Sequence, residues 1–114
     1  MSAGRAKYWT VRLRSDDAFV GLCDLSELQH DSADVGFVLA RRHWGQGLAQ
    51  EAVVAVLEHA RELGLKQVDA RVHEGNERSV RLLERAGFVT IETNPHVEIR
   101  PEVFRSCYRL RKVL

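Results

Sequence analysis

Long apolar runs are missing from this 114-residue chain. No stretch approaches the ~20 apolar residues that a helix needs to cross a bilayer, and no signal-peptide pattern precedes Tyr8. Only two cysteines occur, Cys23 and Cys107, far apart and outside any C-x-x-C pattern. That usage points to reduced structural thiols in a cytoplasm, not to a disulfide framework. His30, His43, His59, His73 and His96 show no metal-ligand spacing, so no metal is expected. Charge of one sign is lacking too. A formal net charge of +1 provides no basic field for a nucleic-acid backbone and no reason to expect a membrane partner. Internal repeats and low-complexity segments are absent. With 45% hydrophobic residues, the expectation is one domain, residues 1–114, around a single core.

What the chain does contain is a glycine-punctuated turn, Trp44-Gly45-Gln46-Gly47-Leu48-Ala49, between an apolar run and an amphipathic pattern. Upstream, Val35-Gly36-Phe37-Val38-Leu39 reads as a buried strand. Downstream, Ala49, Ala52, Val53, Val56, Leu57, Ala60 and Leu63 make one stripe at helical spacing. A helix start preceded by glycines exposes backbone N–H groups where the macrodipole also favours negative charge, which suits a phosphate. A dinucleotide-binding turn would need a third glycine where Gln50 stands, and no Gly-Lys-Ser/Thr tripeptide of a Walker A loop occurs.

Around this turn the chain reads as one α/β succession. Tyr8 to Leu13 is β-rich and breaks at Ser15-Asp16-Asp17. Phe19 to Leu25 resumes as a strand, giving an antiparallel hairpin, and Asp34 to Leu39 is the third strand. A helix from about Leu48 to Leu63 stops at Gly64, and Val68 to Val72 follows as a short strand. A helix-length connection between two strands implies a right-handed parallel crossover. Asn76 is a good N-cap for a second helix that runs to Ala86 and stops at Gly87. Phe88 to Ile91 and Phe104 to Leu110 complete the sheet, joined by a loop containing Pro95 and Pro101.

The motif Arg42-x-x-Gly45-x-Gly47 resembles the Q/R-x-x-G-x-G/A acyl-CoA signature of the GNAT acetyltransferase superfamily. Two further blocks look like the branch that acetylates protein N-terminal amines, including those of ribosomal proteins. They are Asp34-Val35-Gly36-Phe37-Val38-Leu39 with Trp44-Gly45-Gln46-Gly47-Leu48-Ala49-Gln50-Glu51-Ala52 after it, and Asn76-x-x-Ser79 followed by Leu83-Glu84-Arg85-Ala86-Gly87-Phe88. The resemblance extends from Tyr8 to the C-terminus. It implies a GNAT-like mixed α/β (α+β) sheet with an N-terminal hairpin and a βαβ crossover, short of the family's usual first strand and first helices. It also implies acetyl-CoA as acyl donor, with no metal, and its pyrophosphate on the amides from about Gly45 to Ala49. Val38, Leu39, Arg41, Arg42, Gly45, Gln46, Gly47, Leu48, Ala49, Asn76 and Ser79 are the implied cofactor contacts. The implied acceptor is a primary amine of a protein N-terminus or a small molecule, attacked directly within a ternary complex.

Such transfer needs a base to take a proton from the ammonium form and a donor to the departing sulfur. Asp34 is the candidate base, and Glu92, His96 and Glu98 are its rivals. Many family members carry a tyrosine as proton donor where this chain has Leu83, and Ser79 is the substitute its branch offers. Two other classes remain open: an acyl-CoA-binding sensor or interaction module without turnover, and a nucleotide-binding domain built on the same turn. An uncovered first strand and apolar face lead to the expectation of a homodimer.

Overall fold

The computed structural model describes residues 5–114, apart from the side chains of residues 5, 95–100 and 103–105. Its strands are β1 (Arg5–Arg12), β2 (Phe19–Leu28), β3 (Ser32–Leu39), β4 (Gln67–His73), β5 (Val89–Arg100) and β6 (Val103–Val113). Two helices, α1 (Leu48–Glu62) and α2 (Glu77–Arg85), follow β3 and β4 respectively. The six strands form one sheet in the order β1-β2-β3-β4-β6-β5, and every neighbouring pair is antiparallel except β3 with β4. The expected hairpin and parallel crossover are both present.

Local chemistry accounts for the joints. Between β1 and β2 the Asp16 carboxylate accepts from the Ala18 N–H at 3.0 Å, and Leu13 N–H donates to the Ala18 carbonyl at 2.9 Å. These bonds tighten an acidic turn that has no glycine. Helix α1 buries Val53, Val56, Leu57 and Ala60, the inner part of the predicted stripe, while Leu63 at its C-terminal end is 41% exposed. Burying each of its Val and Leu side chains contributes about 1.5–3 kcal/mol. Leu83 is the one fully buried residue of α2, and it joins Cys23, Leu25, Ala33, Val35, Val68, Ala70, Val72, Phe88 and Leu110 in a single cluster.

Both helices therefore pack on one face of the sheet. The opposite face carries Tyr8, Leu22, Asp24, Asp34, Val38, Arg71, Arg109 and Arg111, and no helix among the described residues covers it. Tyr8 is 71% exposed and Val38 69%. Here the sequence reading of Val35 to Leu39 as a fully buried strand needs correcting: β3 is covered on one side only, so its apolar residues alternate between core and solvent. A second correction concerns the proline-containing loop, most of which is strand. β5 is an edge strand, and its pairing with β6 shifts register between Asn94 and Val97, so Pro95, which has no N–H to give, costs the ladder little. Among the described residues no helix is long and apolar enough to cross a membrane.

Candidate active site

Parallel pairing between β3 and β4 is confined to three rungs, Ser32–Gln67, Ala33–Val68 and Asp34–Asp69. Past Asp34, β3 stays bonded to β2 as far as the Leu39–Gly21 rung, and β4 to β6 as far as His73–Cys107. Each strand is thus held from its outer side while the inner edges part. A wedge opens at Asp34, and the backbone groups along its two walls have no strand partner across it. Backbone polar groups at such a place are matched by water or by a ligand.

The two helices begin at the mouth of this wedge. Beyond β3 comes a short 3-10 turn, Arg41–His43, then Gly45 at φ 79° and Gly47 at φ 76°. Both angles lie in the left-handed region that glycine adopts without strain. Gly47 caps α1 with no side-chain bond, and the first helical bond runs from the Glu51 N–H to the Gly47 carbonyl at 3.1 Å. The N–H groups of Leu48, Ala49 and Gln50 consequently have no acceptor within the helix. A Cβ built on Gly45 or Gly47 would meet nothing within 4 Å, so the space in front of these amides is open. Two buried side-chain atoms at this turn, Nε2 of His43 and Oε1 of Gln50, have no hydrogen-bond partner. Free helix-start amides at a glycine turn are a favourable place for a phosphate group. Val38 lies on the wedge-side stretch of β3, and the Leu39 carbonyl accepts from Trp44 Nε1 at 2.9 Å. Arg41, Arg42 and Gln46 are exposed around the turn.

On the opposite wall, Asn76 caps α2 directly after β4. Its Oδ1 accepts from the Ser79 N–H at 3.3 Å, and Ser79 is half-buried in the first turn. Leu83, at the position where the family resemblance calls for a tyrosine, is wholly buried in the core. The two walls touch at the mouth: Arg78 of α2 lies 4.8 Å from the centre of the Trp44 ring, and Arg41 lies 5.3 Å from it.

At the apex the open face of the sheet gathers charge. Asp69, buried, accepts from Arg109 Nε at 2.8 Å and from Arg111 Nε and Nη2 at 2.8 and 3.0 Å. Burial pushes its pKa up, but the bonds from Arg111 and Arg109 outweigh that and hold it below the usual carboxylate range. Its neighbour in register, Asp34, has only looser partners, Arg109 Nη2 at 3.7 Å and Arg71 Nη2 at 3.8 Å. Burial dominates there, and the Asp34 pKa is raised. Two adjacent carboxylates are therefore driven in opposite directions, and the more basic one stands at the fork. The rival Glu92 is exposed on β5, three strands from β3 in the sheet order, while the side chains of His96 and Glu98 lie outside the described residues. Cys23 is buried and its thiol is pushed up to about 11 by burial, which leaves it unreactive as a nucleophile. A cavity of about 510 Å³ between β1 and α1, lined by Trp9, Val11, Leu13, Leu48, Ala52 and His59 among others, reaches the first turn of α1 beside the glycine turn.

Comparison with known proteins agrees with the fold. The GNAT acetyltransferase domain family matches residues 1–89. The chain belongs to the GNAT acetyltransferase family. Its curated relatives include p20 of Bacillus licheniformis, named as an uncharacterised N-acetyltransferase. That relative is 30% identical over 88 residues, which cover 75% of this chain and 49% of the relative. The probable N-acetyltransferase YjcK of Bacillus subtilis is 37% identical over 78 residues, covering 65% of this chain and 43% of its own length. The chain spans about half the length of these relatives. Among solved structures, a spermidine N-acetyltransferase of Vibrio cholerae in complex with CoA and spermine superposes with a TM-score of 0.87 at 22% identity, over 95% of this chain and 65% of that one. That likeness establishes the GNAT fold. The sequence reading did not find the Asp69–Arg109–Arg111 cluster or Arg78. Alternate charged residues in Asp69-x-Arg71 and Arg109-x-Arg111 were the available signal, because in a strand they share one face.

Proposed function

We propose that this chain is an acyl-CoA-dependent N-acetyltransferase domain, residues 1–114, that carries acetyl from acetyl-CoA to a primary amine by direct attack. The observation that supports it most is the three-rung limit on β3–β4 pairing, which opens a wedge between an uncapped helix start and the half-buried Asp34. In this reading the amides of Gly45 to Ala49 hold the pyrophosphate, and Arg41 and Arg42 beside them are further contacts to CoA. The backbone of Val38 and Leu39 lines one wall, and Asn76 and Ser79 stand on the other. Acetyl-CoA supplies an activated thioester. Asp34 takes the proton that an incoming ammonium must lose, a task suited to a carboxylate whose basicity burial has raised. The Ser79 hydroxyl donates to the sulfur as charge develops there. Cys23, buried and poorly ionised, takes no part.

The acceptor is an amine that reaches Asp34 from the open face. The motif words of the sequence favour a peptide N-terminus, whereas the fold neighbours named for spermidine favour a polyamine. Thiol release from acetyl-CoA over a panel of N-terminal peptides, polyamines and small primary amines tests both. Release with one class identifies the acceptor. Tight CoA binding with no release across the panel favours a sensor or interaction module, and preference for NAD or ATP over CoA would defeat the reading altogether.

A further inference from the structure

The amides of the glycine turn account for a diphosphate, yet the mouth of the wedge carries more positive charge than that group needs. Arg41 and Arg42 stand on one lip and Arg78 on the other, and none of the three forms an ion pair with a described residue. On α2 the contrast is plain, because Arg81, three residues on, pairs with Glu77 at 3.9 Å. Arg78 instead lies over the Trp44 ring, the side chain Arg41 also approaches. Trp44 is fixed by its bond to the Leu39 carbonyl and remains 42% exposed. A guanidinium stacked on an indole is positioned while its N–H edge stays available to an anion. The cluster joins two elements that no strand pairing links at this end, and it sits one residue before Gly45.

We propose that Arg78, with Arg41 and Trp44, forms a subsite for a phosphate monoester, and that it reads the 3′-phosphate of CoA. This rests on the acyl-donor reading above and deepens it. CoA bears two kinds of anion, an internal diphosphate and a terminal monoester close to dianionic at neutral pH. A guanidinium held on an indole matches the second by charge and by its bidentate N–H edge, and Arg41 adds positive charge nearby. Arg78 is exposed on the first turn of α2, so its replacement leaves the core untouched.

Calorimetry with CoA and with 3′-dephospho-CoA on the full chain tests it, using wild type, Arg78→Ala and Arg81→Ala. Wild type should bind CoA about 10 to 100 times more tightly than the dephospho form, the worth of one or two hydrogen bonds to a charged group. Arg78→Ala should lose most of that preference by weakening CoA while leaving dephospho-CoA affinity unchanged, and Arg78→Lys should restore part of it. Arg81→Ala should behave as wild type. A wild type that binds both compounds equally, or an Arg78→Ala variant with undiminished preference, overturns the subsite and leaves the acyl-donor reading standing. Binding of neither compound by wild type overturns both.

Discussion

Replacing Gly47 by alanine separates the cost of a backbone angle from the cost of a blocked ligand. Gly47 sits at φ 76° and ψ 3°, and an added Cβ would touch nothing within 4 Å. The variant therefore carries no steric clash, only the ~1–2 kcal/mol penalty of a left-handed L-residue. Alanine also restricts the unfolded chain, which returns about 0.4–1 kcal/mol. The net loss is about 1 kcal/mol, or a fall in Tm of about 4 °C. If a phosphate lies against these amides, the new methyl occupies its space and breaks at least one charge-assisted bond worth about 1.5–3 kcal/mol, so CoA affinity should fall about 10- to 100-fold.

Gly64 provides the matching control. It follows α1 at φ 85°, also with nothing within 4 Å of an added Cβ, and the 15-residue helix places it about 22 Å from the turn. Gly64→Ala should lower Tm by a similar amount and leave CoA affinity alone. Differential scanning calorimetry gives the first quantity and titration calorimetry the second. Should Gly47→Ala lose stability like Gly64→Ala and still bind CoA as tightly as wild type, the glycine turn is only a helix entry and the phosphate assignment is wrong.

Three further substitutions address the catalytic groups and the apex. Ser79→Ala should reduce turnover about tenfold with CoA affinity nearly intact, since its bond to sulfur strengthens mainly in the transition state; unchanged kcat on a good acceptor reduces Ser79 to a helix residue. Asp34→Asn should flatten the alkaline-rising limb of the pH–rate profile. Because the folded-state pKa of Asp34 is raised, its ionisation opposes folding as pH rises through that pKa, so the same variant should be no less stable than wild type at pH 7. A large loss of stability together with an unchanged pH profile would make Asp34 structural. Asp69→Asn should lower stability at neutral pH, because it removes the counter-charge that accepts the hydrogen bonds of Arg109 and Arg111. The Asp69 pKa is lowered, so its contribution is present above the unfolded-state pKa and lost as pH falls through the folded one, and urea melts at pH 7 and pH 3 should show the variant converging on wild type.

The parts of the molecule that were legible in the sequence are those set by local rules. Gly45 and Gly47 announce left-handed backbone, Asn76 announces a cap, and the spacing of Val53, Val56, Leu57 and Ala60 announces a buried helix face. Each signal lies within a few residues of its effect. The edge character of β5 could not be read this way, because whether a strand tolerates Pro95 depends on which neighbours the sheet gives it. The apex escaped for the same reason. Arg109 and Arg111 reach Asp69 across 40 and 42 residues of chain, and their alternation marks a shared strand face without saying which residue lies opposite. Arg78 reads as one more solvated cation until the fold sets it against Trp44.

The wedge and the charge at its apex are two consequences of one topological event. Among the described residues β3 and β4 are the only parallel neighbours in the sheet, so both run toward the same end and both deliver a helix N-terminus there. Parting the strands at that end creates the space, and the helix starts give it a positive rim. At the fork, Asp34 and Asp69 are the last rung before the strands part, and two like charges so placed cannot share the same conditions. The three arginines divide them: Arg109 and Arg111 bind Asp69 tightly, and only the more distant Nη2 atoms of Arg109 and Arg71 face Asp34. Asp69 is thereby favoured as an anion that holds Arg109, and in the proposed mechanism this leaves Asp34 as the group that exchanges a proton. Loss of Asp69 should therefore damage catalysis as well as stability, by releasing Arg109 to pair with Asp34 and lower its basicity. That coupling is visible as a shift of the alkaline-rising limb to lower pH in whatever fraction of Asp69→Asn protein remains folded.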